Sequence, residues 1–247
     1  MGLSAALHLI YPPQCITCDA KVTSDFGLCG DCWRDTPFVA GLVCDKCGAP
    51  LKGQVTGQDT AQDIGQAEYC DDCLTIARPW ARGRAALIYR GNARGIILAL
   101  KHGDRMDLAR PASRWLARAA EGLISPDMLV APVPLHWRRL LKRRYNQAAL
   151  LSAGLSKLTR LEHCPDLFQR RTATATQSGG RDARFANMSA TMRVHPRWMD
   201  RILGRDLLLI DDVMTSGATF AAVAEVALAA GAKSVTTLAL ARVVKED

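Results

Sequence analysis

The sequence predicts an α/β protein with a mostly parallel sheet, preceded by a small metal-bound segment. Three observations carry this. Past residue 80, short apolar runs alternate with stretches of helical spacing, the pattern of strands joined by crossover helices. One run, residues 207–210 (LLLI), passes at once into Asp211, Asp212 and a turn of small and hydroxylated residues. That suits a strand buried on both faces and ending at a ligand-binding turn. Before residue 80, eight cysteines stand in four C-x-x-C pairs. The expected division is a cysteine-rich domain over 1–80 and an α/β domain over 81–247.

The pairs are Cys15/Cys18, Cys29/Cys32, Cys44/Cys47 and Cys70/Cys73. Two thiolates at this spacing reach one tetrahedral metal from a tight knuckle, and two knuckles complete a four-cysteine zinc site. Four pairs therefore make two zinc sites. Sequential pairing puts Cys15, Cys18, Cys29 and Cys32 on one ion and Cys44, Cys47, Cys70 and Cys73 on the other; interleaved pairing stays open at this point. Disulfides need an oxidising compartment, and the start MGLSAALHLIYPP lacks the basic lead of a secretory signal. Redox pairs come singly near a βαβ unit, and an iron–sulfur cluster is the other use of four thiolates. Four sulfur ligands leave no open position for substrate, so the zinc is structural and supplies much of the segment's folding free energy. Residues 52–68, rich in Gly, Gln, Thr and Asp, predict a mobile loop inside the second ribbon.

No apolar run approaches the ~20 residues of a membrane span, and Ala6 stands where a myristoylation signal needs Ser or Thr. A cytoplasmic protein is expected. The net charge of +8 is uneven: residues 137–205 hold 15 Lys/Arg against 4 Asp/Glu, leaving the rest net acidic. A basic surface of this density attracts phosphates, nucleotides or nucleic acid.

In order, a strand is expected at 85–90, a turn at Gly91 and Asn92, and a helix ending at Lys101 and His102, whose charges suit a helix C-terminus. A second helix starts at Pro111 and runs to about residue 122, with Arg114 and Arg118 as an exposed basic stripe. A strand over 127–137 runs into Pro132 and Pro134. Arg138, Arg139, Lys142, Arg143 and Arg144 then suit phosphate contacts. Tyr145 either stacks on a base or packs inward. A helix over 148–161 follows, then Cys164 as a packing residue and a short strand at 166–171. Residues 172–188 have no apolar period and read equally as a closing lid or a plain connector. The last strand, 234–242, follows a helix that stops at Gly231.

Residues 207–219 (LLLIDDVMTSGAT) carry the chemistry. Thr215, Ser216, Gly217, Ala218 and Thr219 lead into an Ala-rich helix, whose free N–H groups and positive dipole end make an anion site. Two carboxylates there conflict with a phosphate unless they accept hydrogen bonds from sugar hydroxyls, so a sugar phosphate with vicinal diols satisfies both halves. The plain alternative is that the acids cap the following helix.

This motif resembles the phosphoribosyl pyrophosphate motif of type I phosphoribosyltransferases. The resemblance implies that fold for the α/β part, with Asp211 and Asp212 on the ribose and residues 215–219 on the 5′-phosphate. Several segments together resemble the ComF family, which is linked to competence and DNA uptake: the four cysteine pairs, PVPLHWRRLLKRRYNQA, Thr174 with Gln177, Arg184 with Asn187, and LLLIDDVMTSGAT. One departure is that Arg144 stands where the family has a flexible glycine, with Tyr145 as its aromatic. The resemblance implies binding of phosphoribosyl pyrophosphate, or a related ribose phosphate, with Mg²⁺, and a part in DNA uptake, with single-stranded DNA and DNA-uptake proteins as partners. It also implies an alternative, transfer of the ribosyl group to a nitrogenous base with release of pyrophosphate. Lys101 and the 132–136 loop would then face pyrophosphate, and Arg181 and Arg184 would close over it.

Overall fold

The structure, a computed structural model, describes residues 11–51, 67–102, 104–170 and 192–244. Along them lie helices α1 (Gly30–Asp35) and α2 (Asp71–Thr75), strand β1 (Arg82–Ile88), α3 (Gly91–His102), α4 (Ala109–Ala119) and β2 (Leu129–Pro132). Then come α5 (Trp137–Arg143), α6 (Gln147–Thr159), β3 (Glu162–His163), β4 (Phe168–Arg170), β5 (Met192–Val194), α7 (Met199–Ile202), β6 (Asp206–Met214), α8 (Ala218–Ala229) and β7 (Ser234–Arg242).

Five strands form one sheet in the order β1-β7-β6-β2-β3, every neighbouring pair parallel. β4 and β5 make a separate antiparallel pair. The α/β class with a parallel sheet is the expected one, and the reason is visible in the burial. Leu207 and Leu209 lie in one core with Phe220, Val223 and Ala224 of α8, whereas Leu208 and Ile210 lie in another with Ile97, Leu100, Leu116, Leu151 and Leu155 of α3, α4 and α6. A strand covered on both faces needs an unbroken apolar run. Cys164 is fully buried in the first core.

Several boundaries differ from expectation. The strand expected over 127–137 is confined to Leu129–Pro132, the span that pairs with β6. β6 runs on through Asp211 and Asp212 to Met214, because β7 pairs with it as far as Met214↔Arg242. β1 starts at Arg82 rather than residue 85, since pairing with β7 begins at Arg82↔Thr236. α4 starts at Ala109, with Pro111 still inside its first turn, where a missing N–H costs nothing.

β1 is the sheet edge, and the chain before it covers that edge, which otherwise offers unpaired peptide groups. The Val39 N–H donates to the Ala86 carbonyl (2.9 Å), and the Ile88 N–H donates to the Pro37 carbonyl (2.8 Å). Between them Phe38 packs on Trp33 and Trp115, with ring centroids at 4.6 and 5.5 Å. The Cys44/Cys47 knuckle lies backbone to backbone on the same strand, where the Gly83 N–H donates to the Asp45 carbonyl at 2.7 Å. A Cβ on Gly83 would fall 2.4 Å from the Lys46 carbonyl oxygen, and one on Gly48 (φ +68°) would fall 2.4 Å from the Ala85 nitrogen. Glycine at both positions is what lets the two backbones meet. Cys44 and Cys47 are consequently buried in the same core as Leu207 and Phe220.

Candidate functional site

From β2 the sheet grows one way to β3 and the other way to β6 and β7. The crevice beyond the C-terminal ends of β2 and β6 is therefore where strand order reverses, the place ligands gather in open α/β sheets. Asp211, Asp212 and the 215–219 turn stand at the end of β6, and Pro132 leads out of β2.

Side chains alternate along a strand, so Asp211 shares a face with Leu209 and Asp212 shares one with Ile210. Asp212 takes an ion pair from Lys101 of α3, Nζ to Oδ1 at 3.0 Å, with both side chains largely buried. The Asp211 Oδ1 accepts the Asp212 N–H at 2.8 Å. Burial, with the Asp212 charge beside it, pushes the Asp211 carboxyl well above the usual carboxylate range. Neither acid caps the following helix: the N-cap of α8 is Gly217 at φ +79°, without a side-chain cap hydrogen bond.

Two arginines shape the turn. Buried Arg242, at the end of β7, donates to the carbonyls of Met214 (3.2 Å), Thr215 and Val243 (2.7 Å). Arg78 donates to the Ser216 carbonyl at 2.7 Å. A trans peptide points its C=O and N–H in opposite directions. Drawing the Thr215 and Ser216 carbonyls toward arginines therefore turns the Ser216 and Gly217 N–H groups the other way. Gly217 is needed here: besides its positive φ, a Cβ would fall 3.0 Å from Arg78 and 3.1 Å from the Trp80 ring. Thr215 and Ser216 are exposed, whereas Ala218 and Thr219 are half-buried in the first turn of α8. Those first-turn amides have no partner within the helix.

The opposite rim is basic. A cleft of about 390 Å³ is lined by Lys101, His102, Asp104, Arg139, Arg143 and Arg144. His136 caps α5 by accepting the Arg138 N–H on Nδ1 (3.2 Å), which places its proton on Nε2. That Nε2 is buried and has no hydrogen-bond partner among the described residues. Burial, with the Arg170, Arg138 and Arg139 charges near it, pushes the imidazole below its ordinary range and keeps it neutral. Tyr145 packs inward, its hydroxyl donating to the Leu100 carbonyl at 2.6 Å beside Lys101. Asn146 caps α6 through the Ala148 N–H (3.0 Å) and donates to the Val133 carbonyl (3.1 Å). This stretch thus sews the ends of α3 and β2 together. Arg144 holds the left-handed conformation at φ +67° that ends α5, a position that favours glycine.

The cysteine sulfurs gather in two groups, Cys15, Cys18, Cys29 and Cys32 in one and Cys44, Cys47, Cys70 and Cys73 in the other, with ligand atoms within 4.8 Å of one another. Tetrahedral zinc with sulfur at ~2.3 Å fits such a cluster. Cys18, Cys32, Cys70 and Cys73 are pushed up, while one thiol in each group is held down. Although burial opposes it, N–H groups of Cys29, Thr17 and Cys18 aimed at the Cys15 sulfur lower its thiol to about 6. Hydrogen bonds from Cys47 and Cys73 hold Cys44 far below the ordinary thiol range. Two structural zinc sites result.

Arg181 and Arg184, with Thr174, Gln177 and Asn187 of the 172–188 segment, lie outside the described residues, as do residues 52–66 of the expected loop. Lys101, Asp211, Asp212 and the 215–219 turn come together at one crevice. Arg78, Trp80 and Arg242 were not foreseen. A charged residue closing the otherwise apolar run of β7 was the available signal for Arg242, while Arg78 and Trp80 had only their nearness to the last cysteine pair.

Comparison with known proteins fits this organisation. Residues 6–74 match the double zinc ribbon domain family. DNA utilization protein YhgH of Escherichia coli K12 is 31% identical over 242 residues, 95% of this chain and 99% of that protein. Competence protein F of Haemophilus influenzae is 25% identical over 238 residues, 93% and 96% of the two chains. Solved structures that align include glutamine phosphoribosylpyrophosphate amidotransferase from B. subtilis (TM-score 0.41, 12% identity, 58% of this chain and 30% of that one). Hypoxanthine phosphoribosyltransferase from Staphylococcus aureus aligns with TM-score 0.34 and 13% identity over 54% of this chain and 62% of its own. With nearly a third of positions identical along almost the whole of both chains, and a double zinc ribbon at the front, the chain belongs to the ComF family.

Proposed function

We propose that the crevice binds phosphoribosyl pyrophosphate with Mg²⁺, and that the protein takes part in DNA uptake by handling single-stranded DNA on the basic rim. The observation that carries the first part is the joining of a half-buried carboxylate pair to outward-turned peptide N–H groups at the start of a helix. The carboxylates accept hydrogen bonds from the ribose hydroxyls, and the turn takes the 5′-phosphate. Lys101, the His136 Nε2–H and Arg139 face pyrophosphate. Asp211 and Asp212, with phosphates and water, would hold Mg²⁺, which would supply charge neutralisation on the pyrophosphate oxygens. The wild-type protein titrated calorimetrically with phosphoribosyl pyrophosphate and Mg²⁺ binds, and the Asp211→Ala/Asp212→Ala variant does not; equal affinities would sink the ribose assignment.

The names of the relatives, a DNA utilization protein and a competence protein, support the second part. So does α5, where Trp137, Leu140 and Leu141 are exposed among arginines and the Arg138 guanidinium lies 5.3 Å from the Trp137 ring. An aromatic platform on a basic track suits stacked bases on a phosphate backbone. Binding of a single-stranded oligonucleotide weakens as salt rises, by a log–log slope of roughly 0.7 per phosphate contacted, and Trp137→Ala weakens it by about 1–3 kcal/mol. A salt-independent or Trp137-independent affinity refutes this part.

A second reading, transfer, is favoured by the unpartnered His136 donor, which suits departing pyrophosphate. The anomeric C–O bond breaks as a C–N bond forms to a base, and the base nitrogen gives up its proton to solvent. Pyrophosphate release across a panel of bases separates transfer from binding alone.

A further inference from the structure

The second cysteine tetrad and the phosphate turn are joined through Arg78, Trp80 and Lys46. Arg78 follows the last cysteine pair, five residues past Cys73. Its guanidinium donates to the Ser216 carbonyl at 2.7 Å across 138 residues of sequence. Its carbon lies 5.4 Å from the centre of the Trp80 ring. Trp80 is locked to the Cys44/Cys47 knuckle in both directions: its indole N–H donates to the Lys46 carbonyl, and the Lys46 ammonium donates to the Trp80 carbonyl at 2.9 Å. Lys46 stands between the ligands Cys44 and Cys47. Trp80 also packs against Phe220 in the first turns of α8, with centroids 6.2 Å apart. The turn thus rests on a platform of Arg78 and Trp80, and the knuckle holds the platform.

The first tetrad has no such link among the described contacts. Its chain reaches the opposite core, where Ile16 and Phe38 pack with Trp115.

We infer that Arg78 is a positioning residue that fixes the Ser216–Gly217 peptide for anion binding, and that filling of the second zinc site, not the first, sets how well the turn is formed. The inference rests on reading the turn as the phosphate subsite. Arginine suits the task because its planar guanidinium donates to a carbonyl while lying on an aromatic face. Zinc bound by Cys44 and Cys47 would fix the Lys46 peptide between them, and with it the Trp80 indole that donates to the Lys46 carbonyl. Loss of the guanidinium frees the Ser216 carbonyl, and the peptide can then rotate its N–H away from the phosphate.

The test is amide hydrogen exchange by mass spectrometry on the full chain, run without ligand, beside titration with phosphoribosyl pyrophosphate and Mg²⁺. In Arg78→Ala, the Ala221 amide, which donates to the Gly217 carbonyl at 2.9 Å, exchanges about tenfold faster, the worth of one charge-assisted hydrogen bond. The amides of 207–210 keep their protection, and two zinc ions remain per chain. Affinity for phosphoribosyl pyrophosphate falls about tenfold by the same measure, and Arg78→Lys restores part of it. Cys73→Ser speeds exchange at Ala221 as Arg78→Ala does, whereas Cys32→Ser leaves it alone. Unchanged exchange at Ala221 in Arg78→Ala overturns the positioning role. Equal disturbance by Cys32→Ser and Cys73→Ser overturns the link to the second site. If the wild type does not bind phosphoribosyl pyrophosphate, the ligand reading fails while the exchange pattern still decides the role of Arg78.

Discussion

Serine in place of Cys44 is expected to remove one of two zinc ions per chain and lower the melting temperature of the whole protein. Serine in place of Cys18 should remove the other ion with little global effect. The difference follows from where the two sites sit. Neither α1 nor α2 buries a residue of its own, so sulfur and metal, not apolar packing, hold these ribbons in shape. Cys44 and Cys47 are themselves fully buried members of the core beneath β6 and α8. Breaking that site leaves uncompensated polar groups in the interior of the α/β part. Removing one partner of a buried ionic centre costs roughly 3–5 kcal/mol, and each kcal/mol moves the midpoint by about 2–4 °C in a chain of this size. Cys18 is exposed, and among the described residues its ribbon meets the α/β part through the 36–39 edge contacts, Ile16, the Asn92 amide on the Cys32 carbonyl (3.4 Å) and Arg110 over the Phe26 ring (5.0 Å). Elemental analysis with thermal unfolding measures both effects. Equal, small shifts for the two variants would show that the second ribbon is not part of the main core.

Asparagine at the two acidic positions should separate binding from stability. Both Asp211→Asn and Asp212→Asn are expected to weaken phosphoribosyl pyrophosphate binding by about a hundredfold, roughly two charge-assisted hydrogen bonds. Their stabilities should move in opposite directions. The folded protein raises the Asp211 carboxyl above its unfolded value, by burial first and the Asp212 charge second. Stability from such a group is fully present below the ordinary carboxyl pKa and is lost as pH rises through the raised one. At neutral pH the wild type therefore carries a penalty that asparagine lacks, and Asp211→Asn melts higher. The gain shrinks as pH falls toward the ordinary carboxylate range, where Asp211 is protonated in both states. Asp212→Asn instead leaves the largely buried Lys101 without its carboxylate and melts lower, by about 2 kcal/mol of stability. Thermal unfolding at neutral and acidic pH reads both. A destabilised Asp211→Asn at neutral pH would mean that its carboxylate is held by attraction rather than against repulsion.

This opposition was not legible in the residues. Side by side in the sequence, Asp211 and Asp212 read as one pair serving one sugar, with helix capping as their plain alternative. The extra pairing of β6 with β7 keeps both acids in the strand, and strand alternation then sends them to opposite faces. One meets the Lys101 helix and the other the side of α8. Tyr145 shows the same limit: its sequence neighbours are basic, but its hydroxyl is bound to the end of α3.

By itself the sequence determined what short-range spacing encodes. The C-x-x-C knuckles, the unbroken apolar run of a doubly covered strand and the small residues at a helix start all act within a few positions, so their chemistry is set before the chain folds. Only the tertiary structure decided which distant groups meet at the site: Lys101 on Asp212, Arg242 on the Thr215 carbonyl, and Arg78 between the Trp80 ring and Ser216. Those meetings depend on strand order, register and which face each helix covers. These are properties of the whole sheet, and no local period carries them.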